Sequence, residues 1–277
     1  YMLDVSNNST NRPFFAGTTS NLIFAANSPI YGQEMWKSDG TTAGTMLLQD
    51  LNTNPGSANA HDGVAFNGKI YFSAASAYFG QELWSTDLTT GNTAMVIDIY
   101  PGAASGLDSS GNTFTVFNGR LYFSARNSVT GWELWSTDGT AAGTSVAYDA
   151  SFGVGNNSPT YGPAYLTVCN GKLFYGQLAS NYNLLVFDGT IGASVWSTPY
   201  GSVLHLACLN NTIFFQGNAL VNGTYDAELW KSGGTLATTS QFADIYPGIQ
   251  SGSSGYSSSP ANLTVFNNKL YFTATNP

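Results

Sequence analysis

Acidic side chains that recur along this chain are the first candidates for chemistry. A glutamate stands two residues before a tryptophan at Glu34, Glu82, Glu133 and Glu228, about every fifty residues for the most part. Carboxylates work in pairs as general acids and bases, or gather to bind a cation. Either kind of site needs one asymmetric constellation, whereas these glutamates repeat. We therefore expect a structural role, with each acid partly buried and hydrogen-bonded to loop backbone.

Aspartates follow the same period. Asp39, Asp87 and Asp138 lie three residues after the motif tryptophan, and two of them precede Gly-Thr, which is typical of a turn. A second set lies eleven residues beyond that turn position or its replacement: Asp50, Asp98, Asp149 and Asp244. We expect this late aspartate to cap the following loop. Because no Asp-x-Asp-x-Asp loop is present, we expect neither a metal nor a cofactor.

Aromatic and imidazole side chains are the remaining candidates. The motif tryptophans could stack on a sugar, but strands packed on both faces would bury them, so we expect a core position: Trp36, Trp84, Trp135 and Trp230. Trp132 and Trp196 lie outside the repeat and are predicted to be exposed. His61 and His205 are isolated, and no nucleophile–base arrangement can be built around either.

Strands must position these residues. Segments such as Leu121 to Ala125 and Glu133 to Thr137 are rich in aromatic and β-branched residues with a two-residue period. Asn-Gly and Asp-Gly between such segments are strong hairpin signals, because both central residues of a type I′ turn need positive φ. Each repeat therefore predicts four antiparallel strands, a–d: strand a ends at Phe-Asn-Gly, strand c carries the glutamate, and strand d ends at the late aspartate. Four strands per repeat of this length indicate a propeller blade.

The repeats predict one all-β domain over residues 1–277, a β-propeller of six blades with four antiparallel strands each. Five blades are placed at about 14–63, 64–113, 114–165, 166–203 and 204–260. The last is shared between the termini, with strands a and b from 261–277 and strand d from 1–13. Its strand c is missing, so we expect a longer polypeptide, a three-stranded blade, or a strand donated by another molecule.

Variable loops on one face of the predicted propeller are the expected binding surface. From the late aspartate to the next turn asparagine these connections differ in length, and they carry the candidate ligand residues Tyr100, Tyr161, Tyr165, Tyr246 and Tyr256.

Covalent features leave alternatives open. Cys169 and Cys208 fall in neighbouring repeats, and they form either a disulfide or two small buried core residues. Candidate N-glycosylation sequons, which matter only in a compartment that glycosylates, occur at Asn7, Asn8, Asn156, Asn210, Asn222 and Asn262.

The repeat resembles a known family, named for its Glu-Leu-Trp-x-x-Asp-Gly-Thr signature and found in large bacterial cell-surface and secreted proteins. Residues 133–144 match the signature best, and the resemblance covers nearly the whole chain. The fourth copy departs from it, with Leu185 in place of Trp and Pro199 in place of the late aspartate, so we expect an irregular blade there. The resemblance implies an extracellular or cell-surface setting and no shared catalytic site.

Composition narrows the function further. Charged residues make up only 9% of the chain, aromatics 14%, and the net charge is −8 with no basic cluster, so no nucleic-acid partner is expected. No apolar segment is long enough to predict membrane insertion. The favoured hypothesis is a non-catalytic extracellular module with a structural, adhesive or fibril-forming role. Its expected partners are further copies, which would share strands with it, or other surface proteins and glycans.

Two alternatives stay open. The first is a carbohydrate-binding lectin that uses the variable loops. The second is a glycoside-hydrolase-like enzyme, which needs a non-repeating pair of carboxylates in the central funnel.

Overall fold

The computed structural model describes residues 15–17, 21–53, 56–89, 92–108, 114–150, 162–178, 182–198, 203–221, 224–247, 249–250 and 254–276. Regular structure in these ranges is β-strand, apart from one turn of 3-10 helix at Leu236–Thr238. No helix in the described part of the chain is long and apolar enough to cross a membrane.

The first three sheets have four strands each, paired in chain order. The first contains β1 (Phe15–Gly17), β2 (Leu22–Ser28), β3 (Gly32–Ser38) and β4 (Met46–Gln49). The second contains β5 (His61–Phe66), β6 (Lys69–Ala74), β7 (Glu82–Thr86) and β8 (Thr93–Ile97). The third contains β9 (Thr115–Phe117), β10 (Arg120–Asn127), β11 (Gly131–Thr137) and β12 (Ser145–Tyr148).

The remaining sheets are less uniform. The fourth contains β13 (Ala164–Cys169), β14 (Lys172–Leu178), β15 (Tyr182–Phe187) and β16 (Gly192–Thr198). The fifth contains β17 (Val203–Leu209), β18 (Thr212–Val221), β19 (Thr224–Ser232) and β20 (Ser240–Ala243), extended by β21 (Ile249–Gln250) and β22 (Ser254–Gly255). Among the described residues, the sixth contains β23 (Ala261–Phe266) and β24 (Lys269–Thr273).

The prediction of an all-β chain built from antiparallel sheets is confirmed. The Asn-Gly signal explains the first hairpin of the repeat, because Asn67 and Gly68 both have positive φ, 47° and 75°. Asn118 and Gly119 repeat this geometry with φ of 45° and 72°. Type I′ turns require such values, and asparagine and glycine tolerate them best.

A bulge recurs in the first strand of several sheets. The pairing register shifts in β5, β13, β17 and β23. A non-glycine residue with positive φ lies at the same place in each of these strands: Asp62, Tyr165, His205 and Asn262, with φ between 54° and 58°. Because the bulge recurs with unrelated side chains, it belongs to the framework of the repeat, bending each first strand.

Pairs of aromatic residues contribute to the core of the first, second, third and fifth sheets. A phenylalanine on the second strand lies directly opposite the motif tryptophan on the third, and the pairs are Phe24–Trp36, Phe72–Trp84, Phe123–Trp135 and Phe215–Trp230. Trp84, Trp135 and Trp230 are buried, whereas Trp36 is half-buried. The large rings contribute much of the apolar surface that each sheet removes from water.

The prediction that Trp132 and Trp196 are exposed is wrong, because both are buried. Trp132 lies opposite Arg126, whose guanidinium carbon is 5.4 Å from the centre of the ring. Trp196 packs against Trp230, with 5.1 Å between ring centroids. The fourth repeat has leucine at the motif tryptophan position, and Trp196 on β16 supplies a core indole to that sheet instead.

The described residues fall into two compact units, one ending at Val146 and the other starting at Ala147. Buried apolar clusters occur in each, around Phe72 and Phe123 in the first and around Phe215 in the second.

Candidate functional site

The repeated glutamate is a fully buried hydrogen-bond acceptor. Glu82, on β7, accepts hydrogen bonds from the backbone N–H groups of Ile99 at 2.8 Å, Tyr100 at 3.4 Å and Gly106 at 2.8 Å. These donors lie 17, 18 and 24 residues further along the chain. The carboxyl group therefore holds the connection between the last strand of its own sheet and the first strand of the next.

Glu34 holds its loop in the same way. Its carboxyl oxygens accept hydrogen bonds from the N–H groups of Leu51, Asn52 and Ala58, at 3.1, 3.3 and 3.1 Å and at the same sequence separations. Glu133 is also fully buried. Repetition of one geometry makes these acids part of the framework rather than a reaction centre.

Burial sets the proton affinity of two of these acids. It raises the pKa of Glu34 and of Glu82 to about 7, against the opposing effect of the backbone N–H groups. A neighbouring late aspartate, Asp50 or Asp98, raises each pKa a little more. Both carboxyl groups thus bind protons more tightly in the folded chain than in the unfolded chain.

The free energy of unfolding is therefore expected to fall as pH rises from about 4.5 to about 7. In that window the folded chain holds protons on Glu34 and Glu82 that the unfolded chain has lost. Urea unfolding at a series of pH values measures the slope, and the double variant Glu34→Gln/Glu82→Gln should have a shallower one. An unchanged slope in that variant would contradict the assignment.

The motif aspartates are exposed turn residues. Asp39 Oδ1 accepts hydrogen bonds from the N–H of Thr41 at 2.9 Å and from its hydroxyl at 2.7 Å. Asp138 makes the same two bonds with Thr140. Hydrogen bonds from the threonine lower the pKa of both aspartates, and also that of Asp87.

Both histidines lie at bulges in first strands. His61 precedes the bulge residue Asp62, and His205 is itself a bulge residue. Nδ1 of the buried His61 lies 2.9 Å from Oδ2 of Asp62. The ring of His205 contacts the ring of Tyr165, with centroids 5.1 Å apart. Both histidines thus lie at first-strand bulges, which belong to the repeated framework.

Four of the five predicted loop tyrosines are described, and all four are half-buried: Tyr100, Tyr165, Tyr246 and Tyr256. Tyr165 lies on β13 and not in a loop. The guanidinium carbon of Arg126 lies 5.3 Å from the ring centre of Tyr100. Tyr246 and Tyr256 stack on each other, with centroids 4.6 Å apart and planes inclined by 6°. Tyr161 lies outside the described residues. Tyr100, Tyr246 and Tyr256 therefore contribute to the packing of their loops.

A disulfide joins the first strands of the fourth and fifth sheets. It links Cys169 on β13 to Cys208 on β17, with 5.4 Å between the Cα atoms. Of the sequons, Asn210 and Asn262 are exposed. Asn7, Asn8, Asn156 and Asn222 lie outside the described residues.

The sixth sheet presents an uncovered edge and uncovered aromatic rings. Among the described residues, β24 pairs only with β23. Phe266, Tyr271 and Phe272 are 63%, 51% and 36% exposed. Their counterparts in the second sheet, Phe66, Tyr71 and Phe72, are 6%, 2% and 0% exposed. In the second sheet, Phe66 and Tyr71 pack against apolar residues of the third sheet, and Phe72 packs against those of the first sheet.

No model of a known protein family matches the chain, and no curated protein matches it significantly. Among solved structures it is similar to a computationally designed protein, Ika8, with a TM-score of 0.50 and 13% identity over 95% of this chain and 68% of that one. A structure from a study of two prolyl endopeptidases gives a TM-score of 0.52 and 9% identity, over 84% of this chain and 35% of that one.

A puromycin hydrolase is similar with a TM-score of 0.50 and 12% identity, over 85% of this chain and 39% of that one. The chain thus spans well under half the length of either enzyme. At such identities the likeness shows the fold alone. The fold is of the β-propeller type.

Proposed function

We propose that this chain is a non-catalytic extracellular structural module, a six-bladed β-propeller that assembles into fibres by strand sharing. In this proposal a Glu-Leu-Trp strand of a neighbouring copy completes the sheet of β23 and β24. The observation that carries the proposal is the uncovered edge of β24 with its exposed aromatic side chains. An unpaired strand edge is a ready template for pairing with another chain.

The sequence of β24 indicates which strand fits. In the first, second, third and fifth sheets, the second-strand phenylalanine faces a motif tryptophan. Phe272 follows Leu270 and Tyr271 as Phe72 follows Ile70 and Tyr71, so it occupies that phenylalanine position. A donated strand with the Glu-Leu-Trp sequence would place an indole over Phe272 and cover the free N–H and C=O groups of β24.

Two further observations support an extracellular, non-catalytic role. Disulfides persist mainly in oxidising environments outside the cytosol, and this chain contains the Cys169–Cys208 bond. The repeated glutamates Glu34, Glu82 and Glu228 use their carboxyl oxygens to bind loop backbone. The same geometry recurs from sheet to sheet, which supports a structural role for these acids.

Self-association is the expected result for the purified chain. Sedimentation or light scattering at increasing concentration should show particles heavier than one chain, and Phe272→Lys should weaken their formation at least tenfold by placing a charge on the open edge. Tyr78→Lys is the matched control, because Tyr78 is 81% exposed but lies away from β24 in the sequence and should leave assembly unchanged.

A synthetic peptide tests the identity of the donated strand. A peptide of residues 131–149, which carries the third and fourth strands of the third sheet, should bind the chain and reduce assembly. The same peptide with Trp135 replaced by Ser should bind at least tenfold more weakly. A chain that stays a single-chain particle at all concentrations and binds neither peptide would overturn the proposal.

A further inference from the structure

The fifth sheet contains a cluster of three acids that has no counterpart among the described residues of the other sheets. Asp226 and Glu228 are two residues apart on β19 and therefore share one face of the strand. Asp244 follows β20, which pairs with β19 so that Ala243 lies opposite Leu229. One carboxyl oxygen from each of the three acids lies within 4.8 Å of the others.

Asp226 takes a position that is glycine in the first three repeats, where the sequence is Gly-x-Glu at Gly32, Gly80 and Gly131. A Cβ atom on Gly32 would lie 2.3 Å from the carbonyl oxygen of Gly56, and one on Gly80 would lie 2.6 Å from that of Ala104. The loop backbone thus leaves no room for a side chain in those sheets.

The fifth sheet has room because its loop is longer. The backbone N–H that reaches the second carboxyl oxygen of Glu228 comes from Ser258, 30 residues further along the chain, against 24 residues in the first and second sheets. The Ser258 hydroxyl also donates to Glu228, at 2.6 Å. An extra acid is therefore accommodated only where the loop has been extended.

Asp226 is buried, with only 7% of the residue exposed. Among the described residues, the donor that reaches its carboxyl group is its own backbone N–H. Its charged neighbours are Glu228 and Asp244, so two negative charges act on it. A buried carboxylate facing two others is costly unless a cation lies between them.

We propose that Asp226, Glu228 and Asp244 bind a calcium ion. Calcium accepts six to eight oxygen ligands at about 2.3–2.6 Å, so two ligands on opposite sides are about 4.6–5.2 Å apart. The three carboxyl oxygens, all within 4.8 Å of one another, lie close enough together to contact one such ion.

Each acid has capacity for the ion. Glu228 accepts three hydrogen bonds, from the N–H groups of Ile245 and Ser258 and from the Ser258 hydroxyl, and a carboxylate has about four acceptor positions. Asp244 is exposed, so water can complete the coordination from its side. Bound calcium would tie β19 and the long loop together at the point where Ser258 meets Glu228.

Terbium luminescence and thermal unfolding test the site. The purified chain should sensitise terbium emission through its nearby aromatic residues, calcium should compete for the site, and calcium should raise the Tm relative to EDTA. Asp226→Asn and Asp244→Asn should each weaken calcium binding at least tenfold. Asp244→Asn also covers the case in which the buried variant folds poorly, because Asp244 is exposed.

Asp98→Asn is the matched control. It removes the late aspartate beside Glu82, in the second sheet, where Gly80 stands at the position equivalent to Asp226. It should leave the calcium affinity unchanged. Equal calcium binding by the wild type, Asp226→Asn and Asp244→Asn would overturn the proposal, as would a wild-type Tm that does not respond to calcium. Assembly of the chain through β24 is measured separately and does not enter this result.

Discussion

Replacing Glu82 with alanine is expected to lower the free energy of unfolding by about 3–5 kcal/mol. The side chain is fully buried, and its carboxyl oxygens accept three backbone hydrogen bonds from Ile99, Tyr100 and Gly106. Without it, the N–H groups of Ile99 and Tyr100 lose their acceptor, whereas that of Gly106 keeps the carbonyl oxygen of Gln81. Each buried unsatisfied donor costs about 1–3 kcal/mol unless water enters. Urea unfolding followed by tryptophan fluorescence measures the loss.

Two further variants make the result specific to the carboxyl group. Glu82→Gln keeps one carbonyl oxygen as an acceptor and should lose roughly half as much stability. Tyr78→Ala, at a position that is 81% exposed on the connection before β7, should change stability by less than about 0.5 kcal/mol. If Glu82→Ala were as stable as Tyr78→Ala, the glutamate would not hold the loop.

The repeat predicted the strands well because local signals determine them. Asn67 and Gly68 specify a turn through their own φ values, and alternating apolar residues assign β6 and β7 to two packed faces. The donors to Glu82 lie 17 and 24 residues further along the chain, which is within the length of one repeat. Such features depend on neighbours within a single sheet, and a sequence records them directly.

Features that depend on packing between distant segments were not predictable in this way. Trp132 has no motif partner in the sequence, yet Arg126 covers it from the neighbouring strand. Trp196 is buried in the core of the fourth sheet, where Leu185 stands in place of the motif tryptophan. Its burial therefore depends on the smaller side chain at another position. Asp226 differs from the glycines of other repeats and its loop is longer, and the sequence shows both features; the backbone contacts that exclude a side chain at those glycines appear only in the structure.

The same contrast explains why the repeated acids and the acidic cluster differ in meaning. Both carboxyl oxygens of Glu34 and of Glu82 accept hydrogen bonds from backbone N–H groups of the following loop. Asp226 adds a third carboxylate to the equivalent Glu–Asp pair, and among the described residues the donor to it is its own backbone N–H. A residue that departs from the repeat indicates a binding site where it adds a buried charge that the repeat does not neutralise. Asp226 is such a residue.

Removing the Cys169–Cys208 disulfide is expected to lower the free energy of unfolding by about 2–4 kcal/mol. The bond closes a loop between residues separated by 39 positions, and opening it increases the conformational freedom of the unfolded chain. The cysteines lie on β13 and β17, the first strands of adjacent sheets in the sequence, so the bond fixes the start of the fifth sheet to the fourth. Urea unfolding of Cys169→Ala/Cys208→Ala against the wild type measures the difference.

A reducing agent separates the effect of the bond from that of the substitutions. Reductant should lower the unfolding midpoint of the wild type toward that of the double variant, and it should leave the double variant unchanged. Thiol titration of the denatured wild type should find no free thiol before reduction and two after it, since the chain contains two cysteines. Two free thiols before reduction, together with a midpoint that reductant does not move, would show that the cysteines contribute only as small buried side chains.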